Sequence, residues 1–302
     1  MSSTMTSAAT EVPAQLRRAA LSGRRRFVDG VGKGFMWFAV VLAAVPLGLV
    51  TYYVIARGSG IMSWDFLTGN RIPGRPQALG GSMGPAVVGT LLTTGIGAAI
   101  AIPLGVLGAV YLNEYGKTSP LARAIRMMAD VMTGVPSVVM GLFVYLIMVA
   151  PLQQRSLIAG AFALACLMLP VVIRSSEEML RLVPDELRQA SLALGARKWR
   201  TTVTVVLPAA ISGIVSGSLL AIARAAGETA PIVLVVGLFP RIRWDVTKEG
   251  TTLSAQIFQN ANQVYEGAQQ RGWGAALTLV IVVLVTTLIA RLISSRFAIK
   301  ER

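Results

Sequence analysis

Residues 156–173 read Ser-Leu-Ile-Ala-Gly-Ala-Phe-Ala-Leu-Ala-Cys-Leu-Met-Leu-Pro-Val-Val-Ile, without one charged side chain. A run of about 18 apolar residues is long enough to form a helix that crosses a lipid bilayer. A surface helix of a soluble protein would interrupt such a run with a polar face every three or four residues. The stretch therefore predicts a membrane-spanning helix.

Similar runs recur along the chain, and only 14% of its 302 residues are charged while 54% are hydrophobic. Soluble domains average about 25% charged residues. The sequence therefore predicts an all-α, polytopic membrane protein. We expect six transmembrane helices, at about 34–57, 87–112, 129–150, 156–178, 205–237 and 274–295.

The positive charges are distributed unevenly between the loops. If the N-terminus is cytoplasmic, 19 of the 28 Lys and Arg residues lie inside and 8 outside, with Arg224 in a span. This bias follows the positive-inside rule, so we expect both termini in the cytoplasm. The uneven distribution of these charges accounts for the net charge of +14 without a nucleic-acid partner, and we expect none.

The residue types exclude several kinds of chemistry. The chain has no His, and its single Cys, Cys166, lies in an apolar run and can form no internal disulfide. It also lacks the Gly-Lys-Ser/Thr loop that cradles nucleotide phosphates. We therefore expect no catalytic residue, no metal site and no cofactor bound by this chain.

A charged segment separates the fourth and fifth predicted spans. It begins Pro184-Asp-Glu-Leu-Arg-Gln-Ala-Ser-Leu-Ala-Leu-Gly195 and continues to Leu207-Pro208. Acidic residues suit the first turn of a helix, and glycine suits the position at which a helix stops. The pattern predicts a short amphipathic helix, a break at Gly195 and a second short helix.

This segment resembles the cytoplasmic loop of ABC importer permeases, whose pattern is Glu-Ala-Ala, three residues, Gly, about nine residues, then an apolar residue and Leu-Pro. The matching positions are Gln189-Ala190-Ser191, Gly195 and Val206-Leu207-Pro208, with Gln and Ser replacing Glu and the second Ala. In that family the loop is a coupling helix that docks on the ATP-hydrolysing subunit. The alternative is a surface helix without a partner. The resemblance implies ATPase contacts at Glu186, Gln189, Ala190, Leu194, Gly195 and Ala196.

Further stretches are similar to phosphate-specific transport permeases of the PstA type. They are residues 133–138, residues 169–174 with Glu177, and residues 223–231, and the resemblance covers roughly residues 85–300. It implies a type I ABC importer permease fold in the bacterial inner (plasma) membrane, and a function as half of the translocation path for inorganic phosphate. It also implies a second, PstC-type permease, a PstB-type ATPase dimer that binds ATP and Mg, and an extracytoplasmic PstS-type phosphate-binding protein.

We accordingly divide the chain into three parts. Residues 1–33 form a basic, disordered cytoplasmic segment, and residues 34–84 form the first transmembrane helix and an outer loop. Residues 85–302 form the permease core, with the coupling loop at 184–204. The alternative functions are a permease for another oxyanion, such as molybdate, sulfate or phosphonate, and a channel or secondary transporter, which would not need the coupling loop.

Arg224 and Glu228 lie four residues apart in an apolar stretch, a spacing at which helical side chains can pair. A charge at bilayer depth costs about 2.5–3.5 kcal/mol or more, so it faces a cavity or another charge. The pair either neutralises itself and locks helix packing, or lines the path, with Arg224 binding the phosphate oxyanion. The resemblance favours the path, and adds Thr229, Arg174 and Glu177 to it. Arg174 could instead extend to lipid headgroups.

Two further patterns concern helix packing. A seam of small residues, which we call the small-residue seam, predicts close approach of another helix, and we assign it to the second permease. Prolines in spans kink their helices and free backbone carbonyls, so we interpret them as hinges or kinks. The seam comprises Gly213, Gly217, Ala221 and Ala225, and the prolines are Pro136, Pro170, Pro208 and Pro231.

Overall fold

The structure, a computed structural model, describes residues 23–297, with side chains from Phe27 to Leu292. In this part of the chain the secondary structure is helical, with an isolated antiparallel bridge between Arg71 and Arg241 and no strand. The helices are α1 (Gly23–Gly58), α2 (Trp64–Thr68), α3 (Gly84–Val110), α4 (Pro120–Gly134), α5 (Ser137–Val144), α6 (Ala150–Leu152), α7 (Leu157–Arg181), α8 (Asp185–Ala193), α9 (Lys198–Thr201), α10 (Leu207–Ala226), α11 (Ala230–Val235), α12 (Leu253–Ala261) and α13 (Glu266–Phe297).

The chain divides into two units, Met1–Tyr53 and Val54–Arg302. In the first unit, α1 begins at Gly23, so residues 23–33 are helical where we expected disorder. Arginine is a good helix former, and the three arginines that follow Gly23 allow the helix to extend beyond its apolar part. Residues 1–22 of the predicted disordered segment lie outside the described residues. Every side chain from Phe27 to Tyr53 is exposed, as suits a helix surrounded by lipid.

Five helical stretches of the described chain are long and apolar enough to cross a membrane, and a sixth is possible if one sharply bent pair counts as a span. The predicted spans at 34–57, 87–112, 156–178 and 274–295 correspond to α1, α3, α7 and α13. The predicted spans at 129–150 and 205–237 are each interrupted in the structure.

The third predicted span is wrong as a single helix. The pair formed by α4 and the helical stretch Ser137–Leu152 bends by 106° between Gly134 and Ser137. Val135 and Pro136 are extended at this break, because proline disfavours the helical conformation of the residue before it. α4 also begins earlier than predicted, at Pro120, where the Ser119 hydroxyl accepts a hydrogen bond from the backbone N–H of Ala122 at 3.1 Å.

The fifth predicted span is also wrong at its C-terminal half. It is helical from Lys198 to Ala226, and residues 227–229 then separate it from the short helix α11. Pro231 lies in the first turn of α11, where the missing N–H of proline costs no hydrogen bond. The break places Glu228 and Thr229 outside any helix.

The core of the second unit is built where α3 packs along α7, and α10 packs against both of these helices. Glycines bring α3 and α7 close together. A Cβ atom on Gly97 would lie 2.9 Å from the Ala161 carbonyl oxygen, and one on Gly105 would lie 2.7 Å from Cγ1 of Val172. Small residues allow this backbone approach, which stabilises helix pairs by close van der Waals contact.

The small-residue seam packs within this chain, so its assignment to a second permease is wrong. A Cβ atom on Gly213 would overlap the Met179 side chain, and one on Gly217 would overlap the Ser175 side chain. Both contacted residues belong to α7. The periodicity predicted a close helix neighbour but not which helix it would be.

The four predicted kink prolines occupy different positions. Pro136 and Pro231 lie at the two breaks, whereas α7 continues through Pro170. Pro208 follows a π-helical turn, Thr202–Val206, that joins α9 to α10 without a break. The wider turn accommodates the proline, which clashes with the carbonyl four residues earlier in a regular helix.

Residues 75–80, which precede α3, are hydrogen-bonded to Arg271 of α13, whose side chain is fully buried. Its guanidinium donates hydrogen bonds to the carbonyl oxygens of Arg75 at 3.4 Å, Pro76 at 3.1 Å and Gly80 at 3.2 Å, and also to that of Ala78. This end of the core is therefore held by an arginine bound to backbone.

Candidate functional site

The predicted coupling loop has the expected helix–glycine–helix form. α8 ends at Ala193, and Gly195 adopts a left-handed conformation with φ of 81°. The N–H of Gly195 bonds to the Leu192 carbonyl at 2.9 Å, and that of Ala196 bonds to the Ser191 carbonyl at 3.2 Å. These two bonds form the glycine-dependent helix end known as a Schellman motif. A second contact, 2.9 Å between the hydroxyls of Ser191 and Thr201, joins α8 to α9.

The side chains predicted to contact an ATPase lie on the open face of this loop. Leu194 is 90% exposed, and Trp199 of α9 is also exposed. Large apolar side chains on an open face are typical of a surface that another protein covers. Of the predicted contacts, Ala196 is half-buried, and the exposed ones are Glu186, Gln189, Ala190, Leu194 and Gly195.

The opposite face of α8 holds an ion pair that the sequence analysis missed. Arg188 pairs with Glu114, which follows α3, at 3.0 Å, and their side chains are 13% and 6% exposed. Glu114 comes directly after an apolar run, so its need for a buried partner could have been noticed. Its partner lies 74 residues further along the chain, and no local pattern identifies it.

Glu177 is the centre of a second buried cluster. Its carboxylate lies 2.7 Å from Nε of Arg126 and 2.7 Å from Nη2 of Arg181, and 3.8 Å from Nη1 of Arg174. Arg174 also pairs with Asp130 of α4. The sequence analysis placed Arg174 and Glu177 on the path but missed Arg126, Asp130 and Arg181. In this chain Glu177 joins α7 to α4, and a path role for it stays a prediction.

Arg224 and Glu228 are arranged differently. Arg224 lies in the last turn of α10, where a cation is favoured by the helix dipole. Glu228 lies in the break beyond it, and the closest atoms, Nε and Oε1, are 3.8 Å apart. The Arg224 side chain is 64% exposed and that of Glu228 is 18% exposed. The pair is loose, and the guanidinium is open to a ligand or a neighbouring chain.

The break at residues 227–229 also places backbone and hydroxyl groups beside the Arg224–Glu228 pair. Thr229 is half-buried, and its hydroxyl donates to the Gly227 carbonyl at 3.4 Å, a long hydrogen bond. α11 packs on α5, where a Cβ atom on Gly141 would lie 2.5 Å from Cα of Pro231. The bend at Pro136 and the break at Gly227 therefore belong to neighbouring elements. Among the described residues no group of His, Cys, Asp or Glu could hold a metal ion.

Two solved structures with a similar fold come from ABC transporters. A chain of the inward-facing MetNI methionine ABC transporter matches with a TM-score of 0.58 at 20% identity, covering 71% of this chain and 94% of that chain. A chain of a bacterial ABC transporter involved in import of the acidic polysaccharide alginate also gives a TM-score of 0.58, at 14% identity, covering 90% and 99%. The predicted type I ABC importer permease fold is confirmed.

Sequence comparisons agree with this fold. The phosphate transport system permease protein PstA 1 of Mycobacterium tuberculosis is 44% identical over 285 residues, covering 93% of this chain and 92% of the relative. PstA of Yersinia pestis is 38% identical over 247 residues, covering 82% and 83%. The family model described as "Binding-protein-dependent transport system inner membrane component" matches residues 101–299. The chain therefore belongs to the binding-protein-dependent transport system inner membrane components, as a relative of the PstA permeases.

Proposed function

We propose that this protein is the transmembrane permease subunit of an ATP-driven importer and forms half of the translocation path for inorganic phosphate. The observation that carries the proposal is the coupling loop. The face predicted to contact the ATPase is exposed, while the opposite face is fixed to the helix bundle by the Arg188–Glu114 pair. The 44% identity to a relative named as a phosphate transport permease supports the choice of phosphate over molybdate, sulfate or phosphonate.

The chain works without catalysing a reaction. We propose that ATP and Mg bind to a separate PstB-type ATPase dimer, and that this chain binds no cofactor. The exposed apolar side chains around Gly195, including Leu194 and Trp199, suit docking into a groove of that ATPase. A second, PstC-type permease would complete the path, and an extracytoplasmic PstS-type protein would deliver phosphate.

Arg224 is the residue we propose to meet the anion. An arginine binds a phosphate through planar, charge-assisted hydrogen bonds, which are stronger than neutral ones. Its exposure and its loose pairing with Glu228 leave donors free for that contact. Glu228 and Thr229 lie beside it in the break, and Arg174 and Glu177 remain second-rank path residues.

Reconstitution tests this function directly. The chain is purified with the second permease, ATPase and binding protein of its own bacterium and placed in proteoliposomes containing ATP. We expect ATP-dependent uptake of radiolabelled phosphate, with little competition from sulfate or molybdate. ATP-dependent uptake of one of those anions in preference to phosphate would identify that anion as the substrate. Uptake without ATP would contradict the assignment to an ATP-driven importer.

The membrane orientation has its own test. We expect cytoplasmic termini, so single cysteines placed at 60–80 or 245–265 should react with a membrane-impermeant thiol reagent from outside intact cells. Cysteines at 185–200 should react only after the cells are opened. Replacing Cys166 by Ala removes the native thiol, and the reverse labelling pattern would contradict the proposed orientation.

A further inference from the structure

The guanidinium of Arg188 makes an unusually complete set of hydrogen bonds. Its Nε and Nη2 donate to Oε1 of Glu114 at 3.2 and 3.0 Å, and Nη2 also donates to the Leu180 carbonyl at 2.8 Å. Nη1 donates to the Val183 carbonyl at 2.5 Å and to Oδ1 of Asp185 at 3.0 Å. An arginine has five N–H donors, and this geometry uses all of them. One side chain thus fixes the start of α8 to the end of α7 and to Glu114.

Glu114 belongs to a π-helical turn, Tyr111–Tyr115, that directly continues α3. Asn113 donates to Oε1 of Glu114 at 2.8 Å, so the carboxylate is held from two sides. Beside it, Nζ of Lys198 lies 5.0 Å from the centre of the Tyr115 ring, within the range of a cation–π contact. Both halves of the coupling loop therefore contact the same five-residue turn.

The same turn also receives α4. Nη2 of Arg126 donates to the Leu112 carbonyl at 2.9 Å, while its Nε binds Glu177 of α7 at 2.7 Å. The C-terminal ends of α3 and α7 are thus joined to the middle of α4 by partly buried polar contacts, and α8 is joined to them through Arg188. Force is carried through packed elements and hydrogen-bonded networks of this kind.

We propose that the Arg188–Glu114 pair is the joint through which a displacement of the coupling loop moves the end of α3. The proposal rests on the proposed function, because it assumes an ATPase on the exposed face of α8. In this proposal Arg188 and Glu114 contact neither the ATPase nor the anion. They are positioning residues that hold α8 against the end of α3. The joint stays closed through the transport cycle, so that α8 and the end of α3 move together.

If the pair transmits motion, weakening it should lower the coupling between ATP hydrolysis and transport, which the loss of a purely stabilising contact would not do. Loosening it leaves the ATPase docked and active, but fewer anions are imported for each ATP hydrolysed. The decisive measurement is therefore the ratio of imported phosphate to hydrolysed ATP in the reconstituted complex, supplied with phosphate-loaded binding protein. If the wild-type complex imports a different oxyanion, the phosphate proposal fails, and the ratio is measured with that anion.

The first set of variants weakens the joint at each side. Glu114→Gln removes the charge but keeps the shape, and Arg188→Lys keeps the charge but has one nitrogen donor group in place of the five-donor fork. We expect both complexes to assemble and hydrolyse ATP, with the ratio lowered at least tenfold. Arg123→Gln, at an exposed arginine of α4 outside the coupling loop, is the control and should keep the wild-type ratio. An unchanged ratio in both joint variants, or failure of both to assemble, would assign the pair to folding alone and overturn the proposal.

The second experiment replaces the ion pair by a covalent bridge. The variant Glu114→Cys/Arg188→Cys, with Cys166→Ala, is measured before and after reaction with a short bifunctional thiol reagent. We expect a low ratio before bridging and recovery towards the ratio of the Cys166→Ala protein afterwards. A bridge that stops transport would mean that the joint must open, and a bridge that leaves the ratio low would mean that it carries no motion. Either result would overturn the proposal.

Discussion

The buried cluster around Glu177 and the open pair at Arg224 use the same residue types in opposite ways. Glu177 is 2% exposed and has two arginine nitrogens at 2.7 Å. Arg224 is mostly exposed, and Glu228 is 3.8 Å away. A buried carboxylate must be fully paired, because an uncompensated charge in the interior is costly. An exposed arginine needs no such partner and keeps donors for a ligand.

The difference teaches that a charge in an apolar stretch is not by itself a sign of a transport path. In sequence, Glu177 and Glu228 look alike, since each lies three or four residues after an arginine. In the structure the first joins two helices, α7 and α4, and the second borders a break in a helix. Burial and the number of close partners separate the two roles, and the predictions for Glu177 and Arg224 below test that separation.

The largest effect should follow removal of the charge at Glu177. Glu177→Gln leaves Arg126, Arg181 and Arg174 near one another without their shared carboxylate. Breaking a fully buried ion pair costs about 3–5 kcal/mol; the partial exposure of the three arginines makes this an upper bound, and we expect clearly less assembled complex in the membrane. The measurement is the yield and thermal unfolding temperature of the purified complex. Glu178→Gln changes the neighbouring, exposed carboxylate and is the control; equal losses in the two variants would contradict a special role for Glu177.

The next largest effect should be on phosphate uptake, after a change at Arg224. Arg224→Gln should assemble normally, because the side chain is mostly exposed, but its uptake of phosphate should fall. Loss of one hydrogen bond from a charged donor, worth about 1.5–3 kcal/mol, corresponds to a decrease of about one to two orders of magnitude.

The double variant Arg224→Gln/Glu228→Gln separates the two interpretations of this pair. If Arg224 binds the anion, the double variant assembles and still fails to take up radiolabelled phosphate, normalised to the amount of complex. Near-normal uptake would show that the pair only neutralises itself and would remove Arg224 from the path. Arg155→Gln, at another exposed arginine, is the control for loss of one positive charge.

A smaller effect is expected at Gly195. A Cβ atom there would meet nothing within 4 Å, so Gly195→Ala tests the left-handed conformation alone, at a cost of about 1–2 kcal/mol. We expect the membrane fold to be unchanged and the ATPase subunit to bind several-fold more weakly in a pull-down titration. Gly60→Ala, which also has open space but an ordinary φ, should bind like the wild type. Unchanged binding in Gly195→Ala would mean that the end of α8 does not shape the docking face.

The smallest effect concerns Asp245, an exposed carboxylate outside the spans. Its pKa is lowered by hydrogen bonds from the side chain and backbone N–H of Thr247, at 2.6 and 3.1 Å. A group whose pKa is lower in the folded state stabilises that state above its unfolded pKa, about 3.9 for Asp, and loses this contribution as the pH falls through the folded pKa. Asp245→Asn should leave phosphate uptake unchanged at pH 7. Any difference in unfolding temperature from the wild type at pH 7 should shrink as the pH falls below the unfolded pKa and through the lowered folded pKa, and a difference that grew on acidification would have the wrong sign.

Several features could be predicted from sequence because each depends on a local pattern. The lengths of the apolar runs predicted α3, α7 and α13, and the spacing around Gly195 predicted the two helices of the coupling loop. The breaks were harder to place. Pro136, predicted as a hinge or kink, lies at the bend of 106° between α4 and α5, and the size of that bend depends on how these helices pack against their neighbours. Gly227 gave no clear signal, because an isolated glycine in an apolar run is also compatible with a continuous helix.

By itself the sequence determined the class of protein, the approximate spans and the helix–glycine–helix form of the loop, since these follow from hydrophobicity, periodicity and turn residues among neighbours in the chain. Only the tertiary structure decided which charges are joined. Arg188 meets Glu114 across 74 residues and Arg126 meets Glu177 across 51, and the small-residue seam packs against α7 of its own chain. These choices depend on which helices lie side by side, because a buried charge pairs with whatever opposite charge the packing brings within reach.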